Sequence, residues 1–186
     1  MDTGTDGMTI AFRAPDETSA FDLRHAMRHL VGGVSVITAG IGADRTGLTA
    51  TSATALSMEP PTMLIAVNRT ASAWPVIRRH GHFAVNILSA AQRSVAERFA
   101  GRGGAKGAAR YEGATWRELP SGASGLEDAL AVVDCSVEEI IERHSHAIIL
   151  GGVLSVTLGP DAAPQGLVYG HGRFAPVPFP GTGQGA

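Results

Sequence analysis

The chain has 186 residues, 44% of them hydrophobic and 17% charged, with a formal net charge of -2; that length suits one globular domain able to bury a core. Fifteen Lys and Arg against seventeen Asp and Glu exclude a chain built mainly to bind nucleic acid or an acidic membrane surface, since both need a positive excess. A single cysteine, Cys135, excludes an intramolecular disulfide and a cysteine-based zinc cluster and points to a reducing compartment, the cytoplasm.

Residues 1–18 are polar and aperiodic, without the basic start and apolar stretch of a secretory signal, and read as a leader. From Ser19 onward, Leu23, Ala26, Met27 and Leu30 recur at helical spacing, with Asp22, His25, Arg28 and His29 on the other face. That pattern predicts an amphipathic helix ended by Gly32 and Gly33. Residues 34–38, Val-Ser-Val-Ile-Thr, alternate and are β-branched, and a Gly/Asp turn at 40–47 returns the chain as a second strand of a hairpin. Residues 62–68, 82–88, 131–141 and 146–156 also read as strands. Six strands with few helices make a mainly β domain, an antiparallel barrel or sandwich.

Two short helices interrupt the strands. One starts near Thr70 or Ser72, tolerates Pro75 in its first turn and stops at Gly81. The other opens with Ser89-Ala-Ala-Gln92, a capping box, stacks Ala91, Val95 and Phe99, and ends at Gly101. The glycine-rich run 101–109 reads as a flexible, solvated loop, and residues 176–186, rich in Pro and Gly, as a tail. The longest apolar tract, residues 147–156, is about half of the roughly 20 residues that span a bilayer.

Several chemistries fail on spacing. The loop at 101–107 has neither the GxxxxGK(S/T) of a P-loop nor the GxGxxG of a dinucleotide turn. His25 and His29, His80 and His82, and His144 and His146 form pairs able to share a face, but a zinc hydrolase needs a third ligand and a nearby general base, and His25-Ala-Met-Arg-His29 has no glutamate inside it. No GxSxG elbow occurs, and Cys135 lies in an apolar run where a buried, inert thiol is expected.

The informative segment is 47–61, Gly-Leu-Thr-Ala-Thr-Ser-Ala-Thr-Ala-Leu-Ser-Met-Glu-Pro-Pro. A strand of Thr, Ser and Ala gains little from core packing, but its short side chains let a flat ring lie against the backbone. Its hydroxyls and N–H groups can address polar ring edges. Residues 67–72, Val-Asn-Arg-Thr-Ala-Ser, run from a strand into a helix start, where free N–H groups, Arg69, Thr70 and Ser72 suit a phosphate. A second such start follows at 86–92. Together they suggest a phosphorylated planar cofactor.

Six stretches, taken in order over residues 21–175, resemble the flavin reductase family of short FMN-binding split-barrel proteins, the small partners of two-component flavin monooxygenases. They are Arg28-His-Leu-Val-Gly-Gly-Val-Ser-Val-Ile-Thr38; the Thr/Ser/Ala block ending in Pro60-Pro61; Val67-Asn-Arg-Thr-Ala-Ser72; Phe83-Ala-Val-Asn-Ile-Leu-Ser89; His146-Ala-Ile-Ile-Leu-Gly-Gly-Val153; and Tyr169-Gly-His-Gly-Arg-Phe174. The resemblance implies a Greek-key split β-barrel over residues 19–175 and a homodimer with flavin sites near the subunit interface. It implies that Thr49, Ala50, Thr51, Ser52, Ala53 and Thr54 line the isoalloxazine of FMN or FAD, with Asn68, Arg69, Thr70 and Ser72 at the ribityl phosphate. Trp74, Asn86 and Leu88 would close the flavin site, and Tyr169, Gly172, Arg173 and Phe174 lie near the nucleotide. His146 matches the histidine of the family's Gly-Asp-His motif, linked to nicotinamide binding, although here His144-Ser145-His146 removes the aspartate that would orient it.

The activity so implied is NAD(P)H:flavin oxidoreduction, with hydride passing from the nicotinamide of NADH or NADPH to the flavin and reduced flavin leaving for a partner monooxygenase. The flavin carries the redox chemistry and the protein supplies geometry. Two alternatives share the site: a flavoprotein reducing another small acceptor such as a corrinoid or quinone, and a non-enzymatic flavin-binding protein.

Overall fold

The structure, a computed structural model, describes residues 17–160 and 165–178. Most of the expected leader and most of the Pro/Gly tail lie outside those residues. Three α-helices, α1 (Glu17–Met27), α2 (Ala73–His80) and α3 (Arg93–Phe99), accompany twelve strands. The first six are β1 (Gly32–Gly33), β2 (Ser35–Ala39), β3 (Thr46–Ala50), β4 (Thr54–Met58), β5 (Pro61–Asn68) and β6 (His82–Ile87). The rest are β7 (Trp116–Glu118), β8 (Ser124–Leu126), β9 (Ala131–Arg143), β10 (His146–Leu158), β11 (Gln165–Gly170) and β12 (Arg173–Pro178).

Seven strands form one antiparallel sheet in the order β3-β2-β6-β9-β10-β5-β4, and β1, β11 and β12 form a second. β7 and β8 make a small hairpin beside them. The expected strands are all present. The Thr/Ser/Ala block is two strands, not one, because residues 51–53 leave the sheet between β3 and β4. β12 runs to Pro178, three residues into the segment read as tail.

β2 is buried along its whole length because the sheet is covered on both faces. Ile37 and Ala39 point into a core that includes Ile65, Trp74, Ile77, Phe83 and Ile149. Val36, its neighbour, points into a second core with Leu88, Phe99, Tyr111, Leu126 and Leu167. Fully buried side chains of this kind contribute roughly 1.5–3 kcal/mol each. α2 ends as the sequence predicts: Gly81 takes φ 67° and its N–H donates to the Ile77 carbonyl, a left-handed cap that glycine adopts without penalty. The capping box at Ser89 and Gln92 also forms.

The helix expected from Ser19 to Leu30 begins earlier, at Glu17, and ends at Met27. It is not packed by the apolar face that predicts it: Leu23, Met27 and Leu30 are all exposed. Periodicity records that one face is apolar, not that this chain covers it.

Candidate functional site

β3 carries the expected platform. Its ladder with β2 sets Thr49 opposite Val36 and Ala50 opposite Ser35, and the Thr49 hydroxyl donates to the Ala96 carbonyl of α3. Beyond Ala50 the chain is tied down again, because the Ser52 hydroxyl donates to the Ala66 carbonyl of β5 at 2.9 Å and Ala53 packs on the core. Thr51 lies against Gly32, where a Cβ would come within 2.9 Å of the Thr51 Cβ. Glycine at that place lets β1 of the second sheet close over the end of β3.

Between the two sheets lies a cleft of about 290 Å³, lined by Thr49, Ala50, Thr51, Ala100, Arg102, Tyr169 and Phe174. Tyr169 and Phe174 face each other across the β11–β12 ladder, their rings 5.1 Å apart and inclined at 62°. Small residues on one wall, two aromatic rings on the other and a guanidinium at the rim suit a flat, conjugated, anionic ligand.

Of the residues expected at the ring, the structure places Thr49, Ala50 and Thr51 on this wall. Ser52 and Ala53 brace it, and Thr54 starts β4, exposed. Gly172 and Arg173 form the end of the β11–β12 hairpin, exposed and off the cleft wall. Ala100 and Arg102 were not among the expected residues. Ala100 caps α3, and the run 101–109 that holds Arg102, expected as a flexible loop, folds largely as two 3-10 turns. Arg110 clamps it, donating to the carbonyls of Gly47, Phe99 and Ala105.

The expected phosphate group forms a second cluster. Asn68 ends β5 and its Oδ1 accepts from both the N–H and the hydroxyl of Thr70, each at 2.9 Å, an Asx turn that fixes the strand end. Ser72 precedes α2 with its hydroxyl 3.5 Å from that of Thr46 and no bond to the helix backbone. Arg69 is half exposed and tied to the β9–β10 hairpin, its guanidinium 2.8 Å from Glu142 and donating to the His144 carbonyl at 3.2 Å. His146 begins β10 directly opposite Asn68, exposed, with Nδ1 2.8 Å from the Ser145 hydroxyl. His146 therefore stands at the Asn68 rim, and Ser145 takes the orienting place that an aspartate would fill. His144 does not share a strand with it; with φ 50° it sits in the β9–β10 turn.

Three expected site residues are interior. Trp74 and Leu88 lie in the two cores, 7% and 1% exposed. Asn86 is fully buried and its amide is spent within the chain. Nδ2 donates to the Val36 carbonyl at 3.0 Å and to Thr38 Oγ1 at 3.2 Å, and Oδ1 accepts from the Leu126 N–H at 2.7 Å. Asn86 thereby ties β2, β6 and β8 together, and none of the three residues lines the cleft. Among the described residues no histidine, cysteine or carboxylate cluster is arranged to hold a metal ion. Cys135 is buried, and burial pushes its thiol up to about 12, in keeping with an inert side chain.

The fold is that of a mostly β, antiparallel barrel protein with an open cleft between its two sheets. Residues 27–178 match the family model described as a flavin reductase like domain. The chain is 34% identical over 166 residues to the FMN reductase (NADH) RutF 2 of Methylorubrum extorquens strain PA1, a match covering 89% of this chain and 94% of that protein. It is similar in structure to BorF, the flavin reductase component of a bacterial two-component tryptophan halogenase, with a TM-score of 0.78, 28% identity and coverage of 87% of this chain and 99% of that one. It is likewise similar to the NADH:FAD oxidoreductase SgcE6 of Streptomyces globisporus C-1027, with a TM-score of 0.76, 30% identity and coverage of 89% and 98%. The chain belongs to the flavin reductase family and has its split-barrel fold.

Proposed function

We propose that the chain is an NADH-dependent flavin reductase that binds FMN or FAD in the cleft between β3 and the β11–β12 hairpin and passes reduced flavin to a partner monooxygenase. The observation that carries this reading is the cleft itself, a small-residue wall of Thr49, Ala50 and Thr51 facing Tyr169 and Phe174 with Arg102 at its edge. The names of the relatives, FMN reductase (NADH) and NADH:FAD oxidoreductase, support the nicotinamide reductant.

A bound flavin supplies the hydride-accepting chemistry. The chain's own residues supply position and charge. The small side chains of β3 let the ring approach the backbone, and the N–H groups at 51–53 stand off the ladder, where they can address its polar edge. Arg102, whose guanidinium rests 2.9 Å from Glu97, can turn from it to meet negative charge on the ligand. Asn68, Thr70 and Ser72 offer a second polar rim for a phosphate, with Arg69 swinging from Glu142 to meet it. His146 stands on that rim as the candidate nicotinamide contact. The cleft is open, which suits release of the reduced product.

The same reading includes a homodimer. β10 outruns β5, so beyond Gly152 it pairs only with β9. That free stretch exposes Leu154, Val156 and Leu158, and the edge strand β4 exposes Leu56 and Met58, the last at 80%. An apolar strip of this kind on a sheet edge calls for a cover, and a second copy supplies one. No helix among the described residues is long and apolar enough to cross a membrane.

The test is anaerobic mixing of the purified protein with excess FMN or FAD and NADH or NADPH, following loss of the oxidised flavin band. Bleaching of flavin in excess over protein is the expected result and selects both cofactors. Tight flavin binding without bleaching by either nucleotide would overturn the reductase reading in favour of a flavin-binding protein.

A further inference from the structure

Arg102 reaches the cleft already engaged. Its Nη1 donates to Oε1 of Glu97 at 2.9 Å, and the same oxygen accepts from Nε of Arg93, one turn earlier on α3, at 3.0 Å. The trio stands around Phe174. Arg102 and Phe174 line the cleft, Arg93 and Phe174 line a neighbouring hollow of about 440 Å³, and the Arg93 guanidinium lies 5.9 Å from the centre of the Phe174 ring. Glu97 is the most covered of the three, its side chain 25% exposed against 56% for Arg93 and 64% for Arg102. The carboxylate is the fixed member, and the guanidiniums are the ones with room to turn.

This arrangement opposes the binding of an anion as well as attracting it. A ligand's negative group gains a charge-assisted contact with Arg102 only as the contact with Glu97 is given up. The carboxylate that is left behind then repels the ligand from the edge of the cleft, over a distance too short for salt to screen it fully. An ordinary pair on a helix surface, four residues apart, has no such consequence, because its cation faces no ligand.

We propose that Glu97 sets how tightly the cleft holds a negatively charged flavin, by competing with it for Arg102. The proposal rests on the reading of the cleft as the flavin site. Glu97 is here a positioning residue, since it acts through Arg102. The negative charge has two possible sources on one ligand, the phosphate and the ring that becomes anionic on reduction, and different flavins separate them.

The experiment is calorimetric titration with three ligands: oxidised riboflavin, which is neutral; oxidised FMN, which adds the phosphate; and anaerobically reduced riboflavin, which adds the ring charge. Wild type is compared with Glu97→Gln, Arg102→Gln, the double variant and Glu112→Gln. Glutamine keeps an oxygen that accepts from both guanidiniums and removes only the charge. Glu97→Gln tightens binding of one or both charged ligands by about fivefold, the upper end for an exposed ion pair, and leaves oxidised riboflavin unchanged. Tightening of FMN alone assigns the phosphate to Arg102, and tightening of reduced riboflavin alone assigns the ring. Arg102→Gln weakens the same ligand, and most of the Glu97→Gln gain is lost in that background. Glu112→Gln removes the same charge from an exposed pair with Arg98 at 3.8 Å, off the cleft wall, and changes no affinity. No tightening in Glu97→Gln, an equal shift for neutral and charged ligands, or a gain fully kept without Arg102 would each overturn the role of Glu97 while wild-type flavin binding stands. Failure of the wild type to bind any of the three flavins would overturn the reading of the cleft itself.

Discussion

Replacing Asn86 by Ala separates two roles that this residue cannot both fill. If Asn86 touched the flavin, the variant would lose cofactor affinity and keep its stability. The structure predicts the reverse. The substitution leaves the buried Leu126 N–H without an acceptor and strips a donor from both the Val36 carbonyl and Thr38 Oγ1. An orphaned buried backbone donor costs about 1–3 kcal/mol, and the small cavity adds to it, for a total of about 3–4 kcal/mol. In a chain of this size that lowers Tm by about 10 °C. Differential scanning calorimetry and urea titration read the loss, and fluorescence titration reads FMN affinity at a temperature where the variant is folded. Asn86→Leu, close in volume, fills the cavity but orphans the same groups, so it too falls by several degrees. A Tm within 2 °C of wild type, together with much weaker FMN binding, would refute the structural role given to Asn86.

Gly47→Ala tests the packing under the platform. The added Cβ would press on the Ile37 carbonyl oxygen and come 2.7 Å from Cε1 of Phe99, so about 3 kcal/mol of stability is lost by overpacking, read as a fall in the urea midpoint; an unchanged midpoint would contradict the close approach. His82 is buried with an unpartnered Nε2, and burial, then the charge of His80, holds its pKa below the ordinary histidine value. The unfolded chain therefore binds a proton first as pH drops, so this residue's contribution is full above about pH 6.5 and is lost as pH falls through the lower folded value. Tm measured from pH 7.5 to 5.5 falls less steeply in His82→Phe than in wild type; identical slopes would remove His82 as a cause.

Much of this molecule is legible in its sequence, for reasons that can be named. The strands that end up central, β2, β5, β6, β9 and β10, carry branched or alternating apolar residues because both their neighbours and their faces are protein. The caps at Gly81 and at Ser89 with Gln92 are local chemistry and form as read. What escapes is set by distant partners. β11 and β12 carry a mixed, partly polar pattern, and their hairpin signal is only the pair His171 and Gly172, both at positive φ, a two-residue turn that the run Gly-His-Gly does suggest. The apolar stripe of α1 is visible, but nothing local says that no core in this chain will receive it. Asn86, Leu88 and Trp74 belong to segments that resemble a flavin site, and resemblance of a segment does not distinguish a side chain that faces the ligand from one that faces inward. Ala100 joins the cleft from the cap of α3 and Arg102 from the glycine-rich run that follows, where sequence shows freedom and the Arg110 contacts reduce it.

Arg110 gives the cleft a fixed aperture. One guanidinium grips the carbonyl of Gly47 beneath the platform and those of Phe99 and Ala105 on either side of the wall residues Ala100 and Arg102. The gap between floor and wall is thereby gauged by a side chain that never meets the ligand. A ring entering that gap would meet walls already held by the fold, with no ordering of the chain left to be done on binding.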